Sequence, residues 1–250
     1  AFSVKERVGF EENKEGKYSL KEMLQFLRYK PVWAAFVATL ILGTGSSVAG
    51  GAGAYFFTYI LGDMKLLSGV SIIGLIASPV GIVMGPYLAN RFGKKKVYLT
   101  AVILSTALNL LRLLDVTSMI LIYISALIGG VAGGWMVPVN TSIQADNTTY
   151  VLYKTGKRAE AAIASLTSFV SKVAQGLGGA IPGYVLAASG FVTGATIQPE
   201  SINAGIIFCV LILPLIFGVL GAIIFGTQYT LDQNMVVEMD TKIAENSSKN

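Results

Sequence analysis

The sequence predicts an all-α integral membrane protein with six transmembrane helices. Three observations carry this expectation. Hydrophobic residues make up 53% of the 250, and charged residues only 13%, against about 25% charged in soluble domains; the mean hydropathy is +0.64. The apolar residues fall into six runs of roughly 20 residues, the length that crosses a ~30 Å hydrocarbon core at 1.5 Å per residue. The links between the runs are alternately rich and poor in Lys and Arg. Only helices and closed barrels satisfy every backbone group in lipid, and runs this long are helices.

The chain divides into a leader (1–30), a bundle (31–228) and a tail (229–250). In the leader, Ser19 and Glu22 form a capping box. Leu20, Met23, Leu24 and Leu27 recur at helical spacing with Phe26 beside them. This predicts an amphipathic helix lying along the inner membrane surface or against the bundle. Pro31 then opens the first span, where its missing N–H does no harm.

The six spans are expected at 32–61, 67–88, 97–114, 118–139, 160–188 and 203–226. The first and fifth are long and polar in the middle, which implies tilt or a cavity-lining face. Ser46, Ser47, Gly50, Gly51 and Gly53 interrupt the first, as a flexible point or a close crossing. Gly129–Gly130 and Gly133–Gly134 form overlapping small-xxx-small pairs in the fourth, expected to pack. Asn109 and Arg112 lie about one turn apart in the third, with Arg112 expected to snorkel or to pair with Asp115. The tail after Tyr229 is polar and is expected to form a short, fraying helix.

Charge sets the orientation. The leader holds Lys5, Arg7, Lys14, Lys17, Lys21, Arg28 and Lys30. The second link holds Arg91 and Lys94 to Lys96, and the fourth Lys154, Lys157 and Arg158. The remaining links hold Asp63 and Lys65, then Arg112 and Asp115, then Glu200. The positive-inside rule places both termini in the cytoplasm of a multi-pass plasma-membrane protein. The net charge of +5 thus reads as topology and gives no reason to expect nucleic acid. The glycosylation-like triplets at Asn140, Asn147 and Asn246 fall at the inner side and are read as chance.

Lys172 is a lone ammonium within the fifth span. A lysine at the middle of a helix costs about 3 kcal/mol by insertion scales, and it normally faces a water-filled cavity or a carboxylate. Snorkelling is the alternative, with roughly ten residues to cover toward either end. Ser165, Ser168, Ser171 and Gln175 share or adjoin the same face at three- and four-residue steps. Such a face can bond sugar hydroxyls or bond neighbouring helices. Trp135 and Asn140, with Pro138, are further candidates for a cavity. The chain has no His and one Cys, which excludes His-based catalysis, His-ligated metals and an intrachain disulfide. No nucleophile–base set, metal cluster or phosphate loop is present, so an enzyme is not expected and no cofactor is called for.

Two motifs carry a family resemblance. The stretch Gly85-Pro-Tyr-Leu-Ala-Asn-Arg-Phe-Gly-Lys-Lys-Lys96 resembles the cytoplasmic signature of the major facilitator superfamily, which joins the second and third helices of a six-helix half. Gly93 permits the tight turn, and Arg91 and Lys94 to Lys96 can bond helix C-terminal carbonyls. Asn90 stands where that signature usually has Asp. The second stretch runs from Gln144 to Glu160 and includes Asp146, Tyr150, Lys154, Thr155, Gly156, Arg158 and Glu160. It resembles the link before the eleventh helix of the glycoside–pentoside–hexuronide:cation symporters, the melibiose permease-like family. Thr149 stands where members often carry a second acid, so an acid–base network there is thinner. Lys5, Glu6 and Arg7 resemble that family's central loop.

The resemblance implies one half of a major facilitator superfamily fold, helices seven to twelve, with the leader as central loop. Lys172 falls where the melibiose permease carries a lysine in its eleventh helix, facing the sugar and cation region. The implied function is sugar:cation symport by alternating access, with H+, Na+ or Li+ as coupling cation. The acids that would partner Lys172, and most cation ligands, are implied to lie in an N-terminal six-helix half. No carboxylate occupies the middle of any of the six runs. The expected partners are therefore the lipid bilayer, a sugar and that N-terminal half. The motifs 85–96 and 144–160 are implied to gate the cytoplasmic side. A self-sufficient homodimeric half-transporter and a non-transporting membrane partner or truncated gene product are the alternatives.

Overall fold

The computed structural model of the protein describes residues 24–195 and 198–247. Among the described residues the architecture is all-helical. The capping box and most of the leader lie outside them. The leader's described end is a 3₁₀ turn, Phe26–Arg28, followed by Tyr29 in an extended conformation. Leu24 stays exposed while Phe26 is buried. Of the expected apolar face, Leu27 packs with Phe26 toward Val32, Phe36, Val151 and Ile163, while Leu20 and Met23 lie outside the described residues.

Helices cover all six expected segments. They are α1 (Lys30–Ile60), α2 (Lys65–Phe92), α3 (Lys94–Arg112), α4 (Met119–Thr155), α5 (Glu160–Ala188) and α6 (Ser201–Gln228), with α7 (Gln233–Ser247) in the tail. Pro31 sits in the first turn of α1. The last turn of α1, Phe56–Ile60, and a turn within α6, Phe208–Ile212, are π-helical. Four of the helices, α1, α2, α4 and α6, are long and apolar enough to cross a membrane. The two others are more polar for visible reasons. Lys94, Lys95, Lys96 and Arg112 bracket the short α3, and Lys172, Gln175 and several Ser and Gly dilute α5.

The largest departure from expectation is α4. It does not stop near residue 139 but continues to Thr155, so most of motif 144–160 is helix and not link. No Gly or Pro interrupts residues 139–155. Ile143, Asp146, Asn147 and Val151 fall at three- and four-residue steps and are buried. Thr148 and Thr155 donate their hydroxyls to the carbonyls of Gln144 and Val151, so these polar side chains fit the helix. Gly156 ends it with φ +67, its N–H bonding the Leu152 carbonyl at 2.8 Å.

Small residues set the packing. α2 buries Ala77, Gly81, Gly85 and Ala89, one stripe at four-residue spacing, against α4. A Cβ on Gly134 would lie 2.1 Å from the Ser78 carbonyl oxygen, and one on Gly81 2.0 Å from that of Val131. Of the overlapping pairs on α4, Gly130 and Gly134 therefore pack, while Gly129 and Gly133 meet nothing within 4 Å. Gly178 of α5 meets Ser47 of α1 in the same way. The first span's Gly/Ser stretch is thus an unbroken helix at a close crossing. α1 also runs along α6, and α3 lies against α4 and α6, whereas α1 and α4 barely touch. The outward face of α2 is apolar, with Leu75 73% and Val83 78% exposed, as a lipid-facing surface requires.

Candidate functional site

Three regions hold the polar residues singled out from the sequence. The first is a face of α5. Val170, Ala174, Gly178 and Pro182 turn inward. Ser165, Ser168, Lys172 and Gln175 turn outward and are exposed, with Ser171 half-buried beside them. The 3.6-residue repeat produces this split, because the buried and exposed sets each recur at three and four residues. Lys172 lies 12 residues past Glu160, about 18 Å along the axis. Among the described residues it has no hydrogen bond or ion pair. Asn140 is half-buried on α4. Trp135 is elsewhere: it is buried in the core with its backbone against Gly81 and Gly85, and it borders an apolar hollow with Ile76, Val80 and Leu104.

The second region joins the two motifs at the end of the bundle that carries the basic links. Lys94, at the start of α3, donates to Asp146 of α4 at 2.6 Å. Asp146 is buried and Lys94 mostly so. The pair links motif 85–96 to motif 144–160 within this bundle. Lys95 donates to the Tyr229 carbonyl at 2.7 Å, satisfying an acceptor left free at the end of α6. Tyr98, Phe225 and Tyr229 stack in sequence, at 4.0 and 4.6 Å between ring centroids. Lys95 belongs to motif 85–96, whose lysines were expected to bond helix C-terminal carbonyls; its acceptor on Tyr229 and the Tyr98 ring were missed, since neither residue belongs to a motif.

The other motif residues are local. Gly93 takes φ +88 between α2 and α3, a conformation that requires glycine. Arg91 donates to the Tyr87 hydroxyl at 3.2 Å and lies over the Phe92 ring. Asn90 is exposed. Lys154 lies 5.8 and 5.6 Å from the Tyr150 and Tyr153 ring centres, and Tyr150 meets Tyr29 edge-on at 5.8 Å. Thr155 accepts the Lys157 N–H. Arg158 and Glu160 are exposed around the short turn into α5. Glu238 and Lys242 of α7 pair in solvent; the ammonium draws the Glu238 carboxyl below its usual range, though an exposed pair of this kind stabilises little.

The third region was not foreseen as a cavity. Where α1 and α4 separate, two hollows of about 380 Å³ each open onto α3. They share Ala49, Ser105, Asn109 and Gly129. Arg112 is not paired with Asp115, which accepts from the Thr117 N–H and hydroxyl at 3.0 and 2.9 Å. The Arg112 guanidinium turns back into the bundle, 5.3 Å from the Phe56 ring centre. The signal for this cavity was present: Ser105, Asn109 and Arg112 occupy one face of α3 at steps of four and three.

Similarity to known proteins agrees with the motifs. A family model described as MFS/sugar transport protein matches residues 1–233. The chain is 26% identical to the isoprimeverose transporter of Lactiplantibacillus pentosus, over 98% of this chain and 52% of that protein. It is 27% identical to the glucuronide carrier protein homolog of Escherichia coli, over 90% of this chain and 50% of that protein. It is 30% identical to the uncharacterized symporter YnaJ of Bacillus subtilis, over 96% and 52%. The chain spans about half the length of these curated relatives. Apolar helices of membrane-crossing length and the match over residues 1–233 lead to one conclusion: the chain belongs to the MFS/sugar transport protein family of the major facilitator superfamily.

Proposed function

We propose that this chain is the C-terminal six-helix half, helices seven to twelve, of a sugar:cation symporter that works by alternating access. It works in the plasma membrane with both termini in the cytoplasm, and a companion N-terminal half completes the transport cavity. The observation that carries the reading is the exposed polar face of α5, with Lys172 at its centre and Ser165, Ser168 and Gln175 around it. A charge at that depth is too unfavourable to leave against lipid. A companion half with intramembrane carboxylates would cover and pair it. The match to only half of each relative's length supports the same division.

In this reading the protein does no covalent chemistry. Two six-helix bodies rock about a site near the midplane. Lys172 pairs with a carboxylate of the other half, and the cation and sugar compete for or relay that contact. Ser165, Ser168, Ser171 and Gln175 offer hydroxyl and amide groups to sugar oxygens. The Lys94–Asp146 pair, Tyr150 and Lys154 stiffen the cytoplasmic ends on which closure bears.

Reconstitution tests this division directly. The chain alone in liposomes, under imposed H+, Na+ or Li+ gradients, is expected to accumulate no sugar. The intact two-half transporter is expected to do so. Robust cation-driven uptake by the chain alone would refute the half-transporter reading and favour a homodimer.

A further inference from the structure

Lys172 owes its direction to the helix that carries it, and α5 has one extensive neighbour. It packs along α1, while α4 and α6 touch it at few places. The shared face is built at four-residue steps on both helices. Gly43, Ser47 and Gly51 of α1 meet Ala174, Gly178 and Pro182 of α5, level by level. A Cβ on Gly43 would lie 3.1 Å from that of Ala174, and one on Gly51 3.4 Å from the Pro182 ring. The middle level is the tightest. A Cβ on Gly178 would lie 2.1 Å from the Cβ of Ser47, 3.0 Å from its Cα and 2.9 Å from its carbonyl carbon. None of these three atoms can swing aside, because each belongs to the backbone or is fixed directly to it.

The crossing and the ammonium lie on opposite sides of α5. At 3.6 residues per turn, Lys172 stands about 160° around the helix from Ala174 and about 120° from Gly178. Ala174, Gly178 and Pro182 are buried, and Lys172 is exposed. Among the described residues no hydrogen bond or ion pair holds the ammonium itself. Its direction is therefore set from behind, by how α5 is rotated on α1.

We propose that Gly178 is a positioning residue for Lys172: seated on Ser47, it fixes the rotation of α5 and so aims the ammonium at the surface a companion half would cover. This rests on the reading of the chain as half of a symporter and says how that site is held in register. A binding group works only when held within about 0.5 Å and about 10–20° of its productive geometry. A methyl on Gly178 has to part the two helices or turn α5, since a contact this dense has no room to absorb it. Either movement carries Lys172 off its partner.

The test uses the intact transporter and reads the direction of residue 172 separately from transport. Lys172→Cys is alkylated with a soluble maleimide, with Cys209 buried and the companion half freed of cysteine. Alkylation follows the exposure and surroundings of the thiol, so adding Gly178→Ala is expected to change its rate about fivefold or more. Ser47→Gly, which removes the atom the new methyl meets first, is expected to restore the rate in part. With Lys172 in place, sugar uptake is measured against H+, Na+ and Li+. Gly178→Ala is expected to raise the coupling-cation concentration for half-maximal uptake by about tenfold or more, as a displaced group does. Gly134→Ala makes an equally tight clash on the α2–α4 face and is expected to leave both readouts within about twofold. Gly43→Ala, a milder intrusion on the same crossing, serves if Gly178→Ala fails to fold. An unchanged alkylation rate would overturn the proposal. So would equal effects of Gly134→Ala on both readouts, the mark of general loosening. A changed rate with an unchanged cation requirement would support the positioning by Gly178 and refute the role given to Lys172 in symport.

Discussion

Lys172 gains its meaning from what surrounds it and from what does not. It has the flexible stem and compact ammonium of any lysine, yet it stands about 18 Å along a helix with no acid beside it. In the proposed two-half transporter, removing the charge would leave the partner carboxylate unpaired in low dielectric, where it would take up a proton. Lys172→Ala is therefore expected to abolish or uncouple uphill sugar uptake while the protein still inserts. Lys172→Arg is expected to restore only part, because a planar fork does not replace a point charge in a tight site. Unchanged uptake and cation dependence in Lys172→Ala would make the residue a snorkelling lysine. The Lys94–Asp146 pair makes a second residue-level case. Asp146 is the more buried partner, with 9% of its side chain exposed against 22% for Lys94. Lys94→Ala strands a buried carboxylate and is expected to cost about 2 kcal/mol. Asp146→Asn leaves a lysine that can turn toward water and should cost less. Detergent-phase unfolding curves read the order; the reverse order would refute the burial argument.

At the scale of elements, contacts between small residues decide how the helices meet. α2 and α4 approach until backbone touches backbone, at Gly81, Gly130 and Gly134. Lipid supplies no hydrophobic force between helices, so close packing must hold them. Gly134→Ala forces a methyl onto the Ser78 carbonyl and is expected to destabilise by about 1–3 kcal/mol. Gly133→Ala, one residue away and facing open space, should be neutral or slightly stabilising through helix propensity. Thermal unfolding of the two variants side by side checks this; equal losses would mean that α2 and α4 are not so close. The extension of α4 is also an element-scale result. It carries Asp146 and Tyr150 on a rigid helix into the network at the basic-link end of the bundle, where a loop would hold them less firmly.

For the whole molecule, the proposed topology makes a labelling prediction. Buried Cys209 leaves a quiet background for single-cysteine variants at Lys95, Lys157, Met64 and Glu200. Impermeant reagent is expected to reach the first two only from the cytoplasm and the last two only from outside. One reversed pair would overturn the map. On the proposed reading, the exposed polar face of α5 is the surface that a second half would cover.

Helices over the six apolar runs, four of them long and apolar enough to cross a membrane, and the turn of motif 85–96 at Gly93 were legible in the sequence, because lipid imposes length and apolarity on each segment separately. Segment 160–188 coincides with α5, and 203–226 lies within α6. The end of α4 was not legible, since a polar amphipathic stretch reads as a link until Ile143 and Val151 find a surface to bury against. The Ser/Gly stretch of α1 allowed either a hinge or a crossing, and the crossing is so close that a Cβ on Gly178 would lie 2.1 Å from that of Ser47. Local composition thus determined that the chain enters the membrane and where its helices lie. Which side chains meet — Lys94 with Asp146, Lys95 with the Tyr229 carbonyl, Arg112 with the Phe56 ring — depended on residues up to 134 positions apart, and only the packing of whole helices brings such residues together.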